Sequence, residues 1–187
     1  MGSAQTNQQA EENDVSISFH DASVGSYLQV LDGVSGVLKK GASHAAEAGL
    51  DLQEVVMTRL REDMMPLHFQ VVSVAHHSWG AMQGLQKGLF SPPSFALDKD
   101  YAGLQALVAE ARDGLAGLGE AEVEALAEKS VVFKLGKNEL PFTNPNFLLS
   151  FSLPNFYFHA TTTYDILRML GVPIGKMDFI GKMKMGA

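Results

Sequence analysis

The order of apolar and polar positions divides the chain into four long helical stretches, two short ones and a single hairpin. From about Ser23 to Ala48, Val24, Tyr27, Leu28, Leu31, Val34 and Leu38 recur mostly at spacings of three and four, which puts them on one helical face. Gly33, Gly36 and Gly41 either weaken this helix or let another backbone come close. Asp51 can cap a short helix, with Glu54 three residues on. A second long helix is expected from about Met65 to Leu89, with Asp63 as a cap and Pro66 in its first turn, where a missing N–H costs least. Val71, Ala75, Met82, Leu85 and Leu89 share its apolar stripe, with Val72 and Trp79 nearby. Ser91-Pro92-Pro93-Ser94 ends it. The third helix, from about Lys99 to Leu118, aligns Tyr101, Leu104, Val108, Ala111 and Leu115, and a short amphipathic stretch follows over Glu120 to Glu128.

The hydropathy period then changes. Val131, Phe133 and Leu135 alternate with Val132 and Lys134, Gly136-Lys137-Asn138-Glu139 forms a turn, and Leu140 and Phe142 begin a return strand. A lone hairpin is marginally stable, so this one must pack on the helices. The fourth helix is expected to start at Asn144-Pro145, a cap followed by proline at the first helical position, and to stop near Leu170, before Gly171 and Pro173. Pro154 lies inside it and cannot donate to the carbonyl of Ser150, which predicts a kink or a restart. The end, Ile174 to Ala187, reads as a basic, Met-rich tail. Residues 1–14 are polar and read as a disordered tail, lacking the basic end and apolar stretch of a secretory signal. Residues 15–187 are expected to form one domain.

Composition narrows the range of functions. With 187 residues and 46% hydrophobic positions, the chain can bury a sizeable core. A net charge of −7 repels phosphate backbones, so no nucleic-acid partner is expected. The absence of cysteine excludes disulfides, thiolate catalysis, iron–sulfur clusters and cysteine-ligated zinc, and agrees with a reducing, cytoplasmic setting. The most apolar run, Phe147 to Phe158, is too short and too interrupted to span a bilayer, so no membrane association is expected.

Candidate chemistry lies on the fourth and second long helices. Projected at 3.6 residues per turn, Phe147, Leu148, Phe151, Phe158, Ile166 and Met169 form one apolar arc. Asn155 and Thr162 fall inside that arc and His159 at its edge. A buried polar group without a partner costs roughly 1–3 kcal/mol. These groups therefore pair with one another, with the carbonyl freed by Pro154, with water, or with a metal or ligand. On the second long helix His68 falls on the apolar side and His77 on the opposite, solvent side, with Gln70 and His76 between. Adjacent histidines point about 100° apart, so His76 and His77 make a poor pincer, and His76 is the better candidate ligand. The chain has no phosphate loop, no GxGxxG, no HExxH and no GxSxG, and the fourth helix lacks the paired carboxylates of di-iron bundles.

Several runs carry a resemblance. Ser150-Phe151-Ser152-Leu153-Pro154-Asn155-Phe156-Tyr157-Phe158-His159, Tyr164-Asp165-Ile166-Leu167-Arg168 and Leu170-Gly171-Val172-Pro173-Ile174-Gly175-Lys176 resemble a bacterial domain-of-unknown-function family of the DinB-like superfamily. So do Arg59-Leu60, Asp63-Met64-Met65-Pro66-Leu67 and Gln70-Val71. The resemblance spans nearly the whole chain after the polar start. It implies an all-α, DinB-like four-helix bundle with a short β-hairpin before the last helix, associating as a homodimer. Relatives of this kind often hold a divalent metal on three histidines, two of them an HxxxH pair on the last helix. His159 matches the second of that pair, Asn155 stands at the first, and the third falls near Gln70, with His76 more than a turn further on. The expectation is a bundle with a small internal polar pocket around Asn155, His159, Gln70 and Thr162. Its role would be binding or structural, with a small molecule as a candidate ligand and no demonstrable catalytic set. The alternative is a hydrolase or thiol-transferase dependent on zinc, nickel or iron, with His159 and His76 holding the metal.

Overall fold

The computed structural model describes residues 16–185; the tail expected over residues 1–14 lies outside the described residues. Four helical columns form the bundle. The first is α1 (Ser26–Ala48), entered through a π-helical turn at Asp21–Gly25. After a short α2 (Leu52–Met57), the second column is α3 (Leu67–Ala75), a π turn at His76–Gly80, and α4 (Ala81–Lys87). A two-residue strand β1 (Leu89–Phe90) precedes the third column, α5 (Tyr101–Ala116), and a short α6 (Glu120–Glu124). Strands β2 (Ser130–Leu135) and β3 (Asn138–Thr143) follow. The fourth column is α7 (Asn144–Phe147), a π turn at Leu148–Ser152, and α8 (Leu153–Met169), with a closing α9 (Lys176–Ile180). Among the described residues no helix is long and apolar enough to cross a membrane.

The apolar stripes expected on the first and third columns are buried, and the two meet: Tyr27, Leu31, Val34 and Leu38 lie with Leu104, Val108 and Leu115 in one core. Asp51 caps α2 by accepting from the Gln53 N–H at 2.9 Å. At the start of α7 the cap is Thr143, whose hydroxyl accepts from the Asn146 N–H, whereas Asn144 is buried and donates to the Leu126 carbonyl at 2.9 Å. The expected cap is therefore one residue too late, and Asn144 pins the fourth column to the loop before β2.

The sheet is larger than a hairpin. β2 and β3 pair antiparallel through a turn at Gly136, whose φ of 61° favours glycine, and β1 adds to β2 in parallel, Leu89 beside Val132 and Phe90 beside Phe133. Leu89 is thus the first residue of a strand and half-exposed, not the last of a helical stripe. Pro141 sits in the edge strand β3, where its missing N–H removes no inner hydrogen bond.

The apolar arc of the fourth column needs correction. Phe158 and Met169 are 55% and 52% exposed, while Phe156, Ala160, Thr163 and Leu167 form the buried stripe. The cause is the π turn at Leu148–Ser152. A π turn adds one residue to the helical turn, and each α-helical residue subtends about 100°, so everything after Ser152 is rotated by roughly that angle against a uniform projection. The turn also accommodates Pro154 at the start of α8, which is the restart expected there.

The basic, Met-rich end is not a free tail. α9 crosses α1 at Gly33, where a Cβ would collide with the Phe179 carbonyl, and Gln29 donates to the Ile180 carbonyl at 3.1 Å. Lys40 and Asp178 pair at 2.7 Å across the same contact.

Candidate functional site

The second column is buried on two sides. One side meets α5. The other carries Gln70, Ser73 and His77, spaced three and four apart and so on one face, which meets α8. His77 is therefore not on a solvent face: it is 5% exposed. A reading that assumes one apolar side assigns the other to water, and this helix has no such side at that level.

Between this face and α8 lies a cavity of about 200 Å³. Its walls are aromatic: Phe69 from α3, Phe90 from β1, Phe133 from β2 and Phe151 from the π turn before Pro154. Pro92 and Pro93 close one side. The polar groups on the wall are Ser73, His77, Asn155 and His159, and no Lys, Arg, Asp or Glu among the described residues lines it.

His159 has a fixed orientation. Its Nδ1 is 2.8 Å from Gln70 Oε1, and Gln70 Nε2 donates to the Met65 carbonyl at 2.8 Å. With the amide nitrogen committed to a carbonyl, Oε1 can only accept, so Nδ1 of His159 carries the proton and Nε2 keeps its lone pair. That Nε2 has no protein partner among the described residues. Burial pushes the His159 pKa down to about 4 and that of His77 down to about 3, where the neighbouring His76 and His159 add to the effect. Both imidazoles are neutral at physiological pH. Their rings lie nearly parallel, 5.8 Å between centroids and 15° between planes.

Ser73 and His77 line the cavity, while Ser73 Oγ and His77 Nδ1 themselves are enclosed by protein and without a hydrogen-bond partner among the described residues. The His77 carbonyl, by contrast, has a side-chain partner. The Tyr27 hydroxyl donates to Ser152 Oγ at 2.8 Å, and Ser152 Oγ donates to the His77 carbonyl at 2.7 Å. Ser152 thereby ties the π turn of the fourth column to that of the second.

The structure brings Gln70, Asn155 and His159 together, and separates two other candidates from them. Asn155 donates from Nδ2 to the Phe151 carbonyl at 2.7 Å. Thr162 is buried but off the cavity, its hydroxyl donating to the Phe158 carbonyl. His76 lines a different cavity with Trp79, and its Nε2 is 2.7 Å from the Ser91 carbonyl. His68, on the apolar side as expected, accepts from the Lys99 N–H at 3.0 Å and anchors the segment before α5. Ser73 and His77 escape the sequence reading, although their spacing from Gln70 is a legible signal once the helix is known to be buried on both sides.

These donors do not fit a three-histidine metal centre. The cavity offers two imidazoles, an amide whose nitrogen is already committed and a hydroxyl, and no group of three or more His, Asp or Glu able to hold an ion occurs among the described residues.

The fold has a solved counterpart. A crystal structure described as a DinB family member protein from Shewanella denitrificans superimposes with a TM-score of 0.74 at 25% sequence identity, over 90% of this chain and 94% of that one. Among curated proteins none matches. The family model of the domain of unknown function DUF1993 matches residues 19–180, which include both columns that build the cavity, and the chain belongs to that family.

Proposed function

We propose that this protein binds a small uncharged molecule in the cavity between α3 and α8. The observation that carries the reading is the His159 imidazole on the wall of an otherwise aromatic cavity, its Nδ1 held by Gln70 and its Nε2 left without a protein partner among the described residues. A molecule that offers a donor there gains a hydrogen bond in a site largely shielded from water. A mostly apolar cavity with a few convergent polar groups is also the usual form of a small-molecule site. Among the described residues that line it no hydroxyl is hydrogen-bonded to an imidazole and there is no pair of carboxylates, so binding is the function the arrangement supports best.

The test is a fragment screen on the full chain, read by chemical-shift changes at the His77 and His159 side chains and by thermal shift. A ligand at a hundred times its Kd should stabilise the protein by about 2.7 kcal/mol, and His77→Leu should weaken it. A screen in which no fragment moves either histidine would overturn the proposal. A zinc, nickel or iron ion that raises the melting temperature, with the effect lost in His159→Ala, would replace it with the metal-dependent reading.

A further inference from the structure

Resting on that reading, we infer that the cavity takes a single planar ring carrying one hydroxyl or N–H hydrogen-bond donor, uncharged as it binds. Three features of the wall converge on this class. The first is charge. No charged side chain among the described residues lines the cavity, and the two imidazoles that do are neutral. An anion or cation entering would lose its hydration with no counter-charge to replace it.

The second feature is shape. Phe69, Phe90, Phe133 and Phe151 offer ring faces and edges on several sides, and Phe133 and Phe151 already pack at 4.7 Å. Aromatic rings favour such offset and edge-on neighbours. The volume of about 200 Å³ is close to the ~150 Å³ of apolar cavity known to hold benzene, and leaves space for one small substituent.

The third feature is the sense of the hydrogen bonds. The chain Met65 carbonyl, Gln70 amide, His159 Nδ1 fixes the tautomer and leaves Nε2 of His159 as an acceptor. A ring hydroxyl or N–H gives its proton to His159 Nε2. A ring without a donor leaves that nitrogen unpaired. Gln70 is on this account a positioning residue, acting through His159.

The experiment compares phenol, toluene and benzoate by titration calorimetry against the full chain at neutral pH, with the His159 side-chain nitrogens followed by long-range ¹H–¹⁵N NMR. Phenol should bind at least about tenfold more tightly than toluene, the ratio expected for one well-formed hydrogen bond, with a shift at Nε2 and none of comparable size at Nδ1. Benzoate should not compete. In His159→Ala the phenol preference should vanish while toluene binding persists. Equal affinities for phenol and toluene, or a preference for benzoate, would overturn the ligand class and leave the cavity a binding site. Binding of none of the three would overturn both.

Discussion

Two cavities flank the Ser91–Ser94 segment, and Pro93 lines both. The larger, about 280 Å³, lies between the second and third columns beside Trp79 and is lined by His76, Lys99 and Glu110. The smaller, about 200 Å³, lies between the second and fourth columns and is lined by His77 and His159. Size favours the first and chemistry the second. In the larger cavity the imidazole is already committed to the Ser91 carbonyl, and its charged groups reach solvent, Lys99 being 37% exposed. In the smaller, the neutral His159 keeps an Nε2 with no partner among the described residues. Two histidines adjacent in sequence, with rings 5.5 Å apart, thus do opposite things: one closes a loop, the other keeps a cavity polar. The difference teaches that the volume of a cavity and the free hydrogen-bonding capacity of its wall vary independently.

The largest expected way to break this contrast is acid. His77 and His159 are held neutral by burial, with pKa values near 3 and 4 against an ordinary 6.5, and His68 and His76 are lowered by burial too. The unfolded chain therefore binds more protons than the folded one between about pH 6.5 and pH 4, so stability is complete above about pH 6.5 and falls as the pH falls through that window. Each histidine fully neutral in the folded state adds at most about 1.4 kcal/mol per pH unit to the slope. Urea unfolding at several pH values should show this loss, and His77→Leu should reduce the proton uptake on unfolding by close to one at pH 5. An unchanged slope in the variant would mean that His77 is not neutral in the folded protein.

A smaller effect is expected from Ser152→Ala. Ser152 joins Tyr27 to the His77 carbonyl, so its removal leaves a buried hydroxyl and a buried carbonyl unpaired. At about 1–3 kcal/mol for each of the two groups, the loss should be roughly 2–6 kcal/mol in urea denaturation, with the cavity loosened as the two π turns separate. A change beside the larger cavity, Gln83→Ala, at a half-buried lining residue whose side chain makes no hydrogen bond among the described residues, should cost less, under about 1 kcal/mol. Similar losses in the two variants would erase the distinction between the cavities.

How much of this was legible before the structure follows from the kind of signal each element carries. The four columns and the hairpin rest on periodicity over ten or more positions, or on alternation closed by a glycine turn, and both patterns survive in the fold. Strand β1 has two residues and pairs in parallel with a segment more than forty positions on, so no local pattern announces it. The π turns are single-residue insertions, invisible to a uniform projection, and they are why Phe158 and Met169 leave the core that the 3.6-residue repeat assigned to them. Pro154 did mark the last of these breaks. Asn155 and His159 were legible because polar groups on a buried arc demand partners, and Gln70 through the position the family resemblance gives it. His77 was not, because its facing depends on α3 being covered by α8 as well as by α5, and that is a property of the assembled bundle.

The smallest expected effect is also the sharpest comparison, because it sets neighbouring residues against each other with one substitution. His76→Leu removes the hydrogen bond from His76 Nε2 to the Ser91 carbonyl at 2.7 Å and the ring's contact with Phe90 at 4.5 Å. The carbonyl can turn to water, so the cost should be about 1 kcal/mol. His77→Leu removes an imidazole whose Nδ1 has no partner among the described residues, and replaces a desolvated polar ring with an apolar side chain against Phe90 and Phe151. Replacing an unsatisfied buried polar group by an apolar one is neutral or stabilising, so the variant should match or exceed the wild type by up to about 1 kcal/mol at neutral pH. It should at the same time lose affinity for any ligand of the smaller cavity, an affinity that His76→Leu leaves in place. Stability gained where binding is lost is the signature of a group retained for a ligand. If both variants were destabilised alike and neither altered binding, His77 would be a packing residue and the smaller cavity an ordinary gap between columns.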